Sequence, residues 1–284
     1  MSRTYEILRN GKTLIKSGDV HQFRITFNAL IDFGAAISYL DLSVYNLSET
    51  TSNILGKVAK TGEKEETIHL VAGYDDKADL IFAGRVRQRF SDRKGASTIT
   101  RILAVGGTFF DTRISKTFGK NTKLSAIIEY IVLQLGFAID YDAADFQMVY
   151  PSGYMMDGMA KGYMDKLARA HGFQYATENS RIVITKNGKK RKGETLIVSQ
   201  FTGLEGIPEI TQIGINAKMR LNPKAKVGGI IQVDSKYRSF NFGNMYFNEI
   251  PEAAGMGQYK IVKIAHSGDS HGTEWATTVD GLKL

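Results

Sequence analysis

The residues closest to a chemical site lie near the C-terminus. His266, Asp269, His271 and Glu274 follow one another within nine residues, and imidazole with carboxylate suits zinc. The spacing His-Ser-Gly-Asp-Ser-His is not the i, i+4 pair that a helix would offer, and Ser-Gly-Asp-Ser interrupts regular structure. The segment reads as a structured turn. Ser267 precedes Gly268, yet no Gly-x-Ser-x-Gly elbow carries a serine nucleophile. Asp75 and Asp76 are paired carboxylates of the kind that acid–base cleavage of glycans uses. They sit in a turn, Gly73 to Asp79, and read as solvated. No cysteine is present, which excludes thiolate metal sites, cysteine nucleophiles and disulfides together. No glycine loop is built to cradle phosphate. The sequence therefore assigns no catalytic residue, no metal ligand and no cofactor.

Charge is more informative. Arg85, Arg87 and Arg89 alternate along a predicted strand, which puts all three on one face and Val86 and Phe90 on the other. The face is either solvated or a subunit interface, where arginine is enriched. No aromatic interleaves with the arginines, which disfavours a nucleic-acid groove. A second basic run, Lys186 with Lys189, Lys190, Arg191 and Lys192, contains no acid. It reads as a flexible solvated linker or as a contact with an acidic neighbour. Much of the net charge of +8 is thus one loop and not a basic surface spread over a fold. Arg85, Arg87, Arg89, Lys189, Lys190, Arg191 and Lys192 are the candidate interface residues. Met155, Met156 and Met159 could serve an interface or fill a core. Trp275, the single tryptophan, is expected in the core of the last domain.

These residues must be positioned by three regions. In residues 1–112, Phe23, Ile25 and Phe27 alternate with polar residues, as do Leu40, Leu42 and Val44, then Ile68, Leu70 and Ala72. Leu80 to Phe90 and Ser97 to Ala104 flank the turn Asp92 to Gly95, a hairpin signal. Residues 113–190 change character. Leu124, Ile127, Ile128, Ile131 and Leu135 recur at helical spacing before Gly136, and Phe137 to Tyr141 reads as a strand. Ala160, Tyr163, Met164, Leu167 and Ala168 repeat the plan before Gly172, with strands at Phe173 to Tyr175 and Arg181 to Thr185. In residues 191–284 strands are predicted at Thr195 to Val198, Ile210 to Arg220, Ile230 to Val233, Tyr259 to Ala265 and Glu274 to Val279. A long loop is expected over 237–257. The fold class is mainly β with an α+β insert, two barrels flanking a small α+β domain.

With 43% hydrophobic residues the chain can bury a sizeable core. No stretch approaches the ~18 apolar residues that span a bilayer, and no secretory signal is expected at the N-terminus. Stable membrane insertion is not expected.

Four segments together resemble baseplate hub proteins of contractile-tailed phages. They are Ile68 to Tyr74 with Leu80 to Val86; the hairpin Gly95 to Ala104; Thr202 to Glu209 with Leu221-Asn-Pro223; and Tyr259 to Trp275. In order and spacing they cover most of residues 20–280. The resemblance implies tail-tube-like barrels at 1–112 and 191–284 and a homotrimer presenting six barrels in a ring. That ring would join a sixfold tail tube to a threefold central spike, with the tape measure protein and other baseplate proteins as partners and DNA only in transit. It implies a structural protein of the virion tail, assembled in the host cytoplasm, and not an enzyme. The chain is shorter than the larger hubs, so a fused lysozyme is not expected. The alternatives are a spike or tail-tip component of a related injection machine such as a type VI secretion system, a cell-wall hydrolase using Asp75, Asp76 or the His266–His271 turn, and a nucleic-acid module using the 186–193 loop.

Overall fold

The computed structural model describes residues 2–19, 22–55, 66–106, 112–211, 213–237, 239–240 and 257–283. The N-terminal region contains β1 (Arg3–Arg9), β2 (Lys12–Lys16), β3 (Ile25–Asp32), β4 (Tyr39–Tyr45), α1 (Glu49–Leu55), β5 (Thr67–Tyr74), β6 (Asp79–Lys94) and β7 (Ser97–Val105). Alternation works as expected: Ile25, Phe27 and Ala29, Leu40, Leu42 and Val44, and Ile68, Leu70 and Ala72 all point into one core. The strands pair antiparallel in the order β2-β1-β5-β6-β7-β4-β3. The path curls on itself, because the Tyr5 hydroxyl of β1 donates to the Phe23 carbonyl just before β3. The helix α1 was not predicted. It starts where the Ser48 hydroxyl accepts from the Thr51 amide at 3.1 Å, an N-cap, and it buries Ser52 and Leu55.

The insert contains β8 (Arg113–Phe118), β9 (Thr122–Lys123), α2 (Leu124–Gln134), β10 (Ala138–Asp140), β11 (Val149–Tyr150), β12 (Tyr154–Met159), α3 (Ala160–His171), β13 (Phe173–Glu178) and β14 (Arg181–Lys186). The helical stripes bury Ile127, Ile128, Ile131, Met164 and Leu167 against Phe173 and Ile184. Gly172 ends α3 in the left-handed conformation, φ 64°, its amide donating to the Ala168 carbonyl, as glycine at a helix C-terminus can without strain. The strand after the first helix, β10, lies parallel to β14, which pairs antiparallel with β13. The methionine run divides between both readings: Met156 is buried, while Met155 and Met159 are exposed.

The last region contains β15 (Leu196–Ser199), β16 (Leu204–Ile210), β17 (Gly214–Arg220), β18 (Ile230–Asp234), β19 (Ser239–Phe240), β20 (Gly257–Asp269) and β21 (Trp275–Lys283). The stretch 210–220, expected as one strand, is the end of β16 and all of β17. The break falls before Gly214, where a Cβ would lie 1.7 Å from the Gly281 carbonyl oxygen of β21, so only glycine fits. The long loop expected over 237–257 lies mostly outside the described residues.

The two β regions are not separate sheets. Strand β20 pairs with β18 through Gly257 to Lys260 and with β3 through Lys263 to Asp269. A bulge at Val262 marks the change of partner, visible as a register shift against β21. One 14-stranded sheet therefore runs through both halves. The core of the last region gathers Ile215, Ala217, Val233, Ile261, Ile264 and Val279. Trp275 does not belong to it. It packs with Leu221 into the N-terminal core, edge-on to Phe27 at 5.2 Å, and its indole N–H donates to the Gly73 carbonyl at 3.0 Å. The expectation for Trp275 fails because β21 begins in one core and ends in the other.

Candidate functional site

The residues nearest to catalytic chemistry are occupied in holding the fold. His266 points inward from β20, 1% exposed, and shares a 2.8 Å hydrogen bond with the Thr277 hydroxyl. Burial, with Lys226 nearby, pushes its pKa down to about 3. His271 is at the surface beside Ser270. The carboxylate of Asp269 accepts from the Arg24 guanidinium at 2.6 Å and from the His271 amide at 3.0 Å. The Arg24 bond is the main cause of its lowered pKa. Glu274 accepts from Lys218 at 2.9 Å and from the Ser267 hydroxyl at 2.8 Å. Arg3 reaches from β1 and donates to the carbonyls of Asp269, at 2.7 Å, and Thr273, at 2.9 Å. The His-Ser-Gly-Asp-Ser-His segment is thus the clamped tip of the β20–β21 hairpin. Among the described residues no group of three or more histidines, aspartates or glutamates could hold a metal ion. Asp75 and Asp76 sit in a single turn of 3-10 helix, and Asp75 accepts from the Ser2 amide at 2.7 Å.

The arginine stripe of β6 is divided by a bulge. Val86 pairs with Ala104 and Gln88 with Leu103, so Arg87 is an extra residue. One extra residue inverts the alternation beyond it. Arg85 and Arg89 therefore lie on opposite faces, not on one. Arg89 turns toward α1, where its guanidinium donates to the hydroxyls of Ser52 at 3.2 Å and Ser91 at 3.1 Å. Phe90 turns outward in its place and is 49% exposed.

The basic loop is pinned to its own chain. Lys189 pairs with Asp145 at 2.7 Å and Lys192 with Asp142 at 2.9 Å. Arg191 bridges Asp140 at 2.5 Å and Glu178 at 2.6 Å, and Glu178 also accepts from the Val227 amide at 3.2 Å. The reading of a flexible linker is corrected: the acidic neighbour is the insert. Of this run, Lys190 and Lys186 are exposed without an ion pair among the described residues, Lys186 donating to the Asp145 carbonyl.

A surface not singled out in the sequence is more extensive. The strands β17, β21, β20, β3, β4 and β7 share one outward face across both β halves. Registers align Asn216 with Asp280, Lys263 with both Asp280 and Asp32, Ser267 with Asn28, Asn28 with Asp41 and Ser43 with Arg101. The face is largely polar, with Leu30, Leu103 and Val105 among its residues, and its ion pairs are Lys218 with Glu274, Lys263 with Asp280, Arg101 with Asp41 and Arg24 with Asp269. Lys263 lies 3.5 Å from Asp280, and Arg101 lies 2.5 Å from Asp41. The helices α2 and α3 pack within the insert, and α1 buries its residues in the N-terminal region. Part of the face is an open groove whose lining mixes the polar Asn28, Asp41, Ser43 and Arg101 with Phe90 and Ile99. Part of the sequence signal was present, since polar residues alternate along β4 and much of β3, but nothing in it joins β20 to β3.

The sequence over residues 39–280 matches the family described as baseplate hub gp41. No curated protein matches the chain. Among solved structures, the tail protein from Neisseria meningitidis MC58 superposes with a TM-score of 0.65 at 8% identity, covering 100% of this chain and 97% of that one. The 43 kDa tail protein of prophage MuSo2 from Shewanella oneidensis gives 0.60 at 10% identity, covering 99% and 97%. The E. coli c3393 protein, a type VI secretion component described as structurally similar to the T4 bacteriophage tail proteins gp27 and gp5, gives 0.57 at 8% identity, covering 94% and 76%. At such identities the likeness is one of fold.

Proposed function

Because the chain belongs to the baseplate hub gp41 family, a structural component of the phage tail baseplate, we propose that three copies close a ring joining the sixfold tail tube to the threefold central spike. In this reading residues 1–112 and 191–284 are two tube-like units, so that three chains present six. Residues 113–190 stand outside the ring wall. The tape measure protein and then DNA pass through the central channel, and the chain has no catalytic role. The units assemble in the host cytoplasm.

The observation that carries the proposal is the single polar face running through both halves. A ring of such sheets needs a wall that tolerates water and lets a polyanion slide. Unpaired cations would hold phosphate by counterion release. Matched charges spread over Ser, Thr and Asn do not.

Negative-stain imaging of the purified full chain tests the ring. Threefold particles with a central hole are expected. Solid particles, or a chain that stays monomeric at every concentration, would remove the hub reading.

A further inference from the structure

The outward face of the continuous sheet is ordered in rows. Residues paired across neighbouring strands share a face, so a row can be followed from strand to strand. One row runs through Val105 of β7, Tyr39 of β4, Leu30 of β3, Ala265 of β20 and Thr278 of β21. It passes from the N-terminal region to the last one where Leu30 meets Ala265. None of the five carries a charge. Spanning five strands, the row is roughly 19 Å long. Charge begins only at its ends, with Arg85 on β6 and Lys218 on β17.

The rows on either side differ. One holds Asp32, Lys263, Asp280 and Asn216. The other holds Leu103, Asp41, Asn28 and Ser267. Ions in these rows are paired within the face, Lys263 with Asp280 and Asp41 with Arg101. The uncharged row is open to solvent between them: Tyr39 is 41% exposed, and Leu30, Val105 and Ala265 are half-buried. Each of its strands has a hydrogen-bonded neighbour on both sides. Another copy therefore cannot add a strand there.

We propose that this uncharged belt is the level of the channel wall that grips the polypeptide filling the hole before DNA, apolar side chains of that polypeptide packing on Tyr39, Leu30 and Val105. The inference rests on the ring reading and adds where along the wall the tape measure protein is held. Burial of apolar surface is favourable without any charge. DNA presents phosphate and finds no cation in the belt, so the belt does not hold DNA. Three copies repeat the belt around the hole, and a threaded chain meets it on every side. A second copy laid flat on the belt would fill the hole instead of framing it.

Photo-crosslinking in assembled tails tests the belt. In one hub Tyr39 is replaced by p-benzoylphenylalanine, and in a second hub Ser43, farther along β4 on the same face, is replaced instead. Tyr39 tails illuminated before ejection should join the hub to the tape measure protein, identified by mass spectrometry. The product should be lost when they are illuminated after ejection. Tyr39→Glu with Val105→Glu sets two carboxylates against apolar side chains, which is costly for an unpaired charge. Purified tails of this variant should lose the tape measure protein, while Tyr39→Phe with Leu30→Met should retain it. Capture of a second hub copy at Tyr39, or capture of the tape measure protein at Ser43 alone, overturns the belt and leaves the ring standing. Full retention in the Glu variant does the same. Capture from neither position takes the face out of the channel, and the belt falls with it. A parent chain that never forms a ring overturns the ring itself.

Discussion

At the scale of single residues, His266 shows how a residue suited to chemistry is spent on folding. Its neutral ring fills a place beneath the β20–β21 ladder and bonds to Thr277. Charging it there would desolvate an imidazolium without a counter-charge. The folded pKa of about 3 lies below the ordinary 6.5, so the unfolded chain takes up the proton first. The stability this site contributes is complete above pH 6.5 and is lost as pH falls from 6.5 toward about 3, by roughly 4 kcal/mol at the lower end. Urea unfolding at stepped pH, in the parent and in His266→Gln, measures it. The variant should start less stable at pH 7 and show a shallower decline. Parallel declines in the two proteins would mean that the ring is not what the acid attacks.

At the scale of elements, Arg191 latches the insert to the last β region. Its guanidinium holds Asp140 of β10 and Glu178 of β13, and its backbone N–H donates to the Gly228 carbonyl at 2.7 Å. Glu178 is only 4% exposed, so removing the arginine strands a buried carboxylate. Arg191→Met should cost roughly 3–5 kcal/mol in chemical denaturation at pH 7. An unchanged midpoint would show that the latch carries no stability. The acidic run Asp140, Asp142 and Asp145 and the basic run after Lys186 are both plain in the sequence. Their meeting was not, because it depends on the parallel pairing of β10 with β14. Strands buried on one face were legible from alternation, and helices α2 and α3 from their apolar stripes and terminal glycines. The seven residues of α1 present no stripe. The bulge at Arg87 has no sequence signature, and it alone decides which arginines share a face.

At the scale of the molecule, the matched face makes a claim about transport. If it lines the channel, Asp41→Lys with Asp280→Lys turns two ion pairs into four cations at each of three positions around the hole. Phage carrying this hub should assemble full-length tails and adsorb normally, yet eject DNA more slowly, more so at low salt where phosphate attraction is less screened. Ejection timed by potassium efflux would measure this, and an unaltered rate would place the face elsewhere. The strand β20 has a different consequence, for inheritance. Its two ends belong to different cores, with Val262 between them. A recombination joint placed inside it would leave each progeny chain with half a strand matched to a foreign neighbour. The two β halves are therefore expected to travel between genomes together, and the insert with them, since its Ala176 and Val183 are buried in the core of the last region.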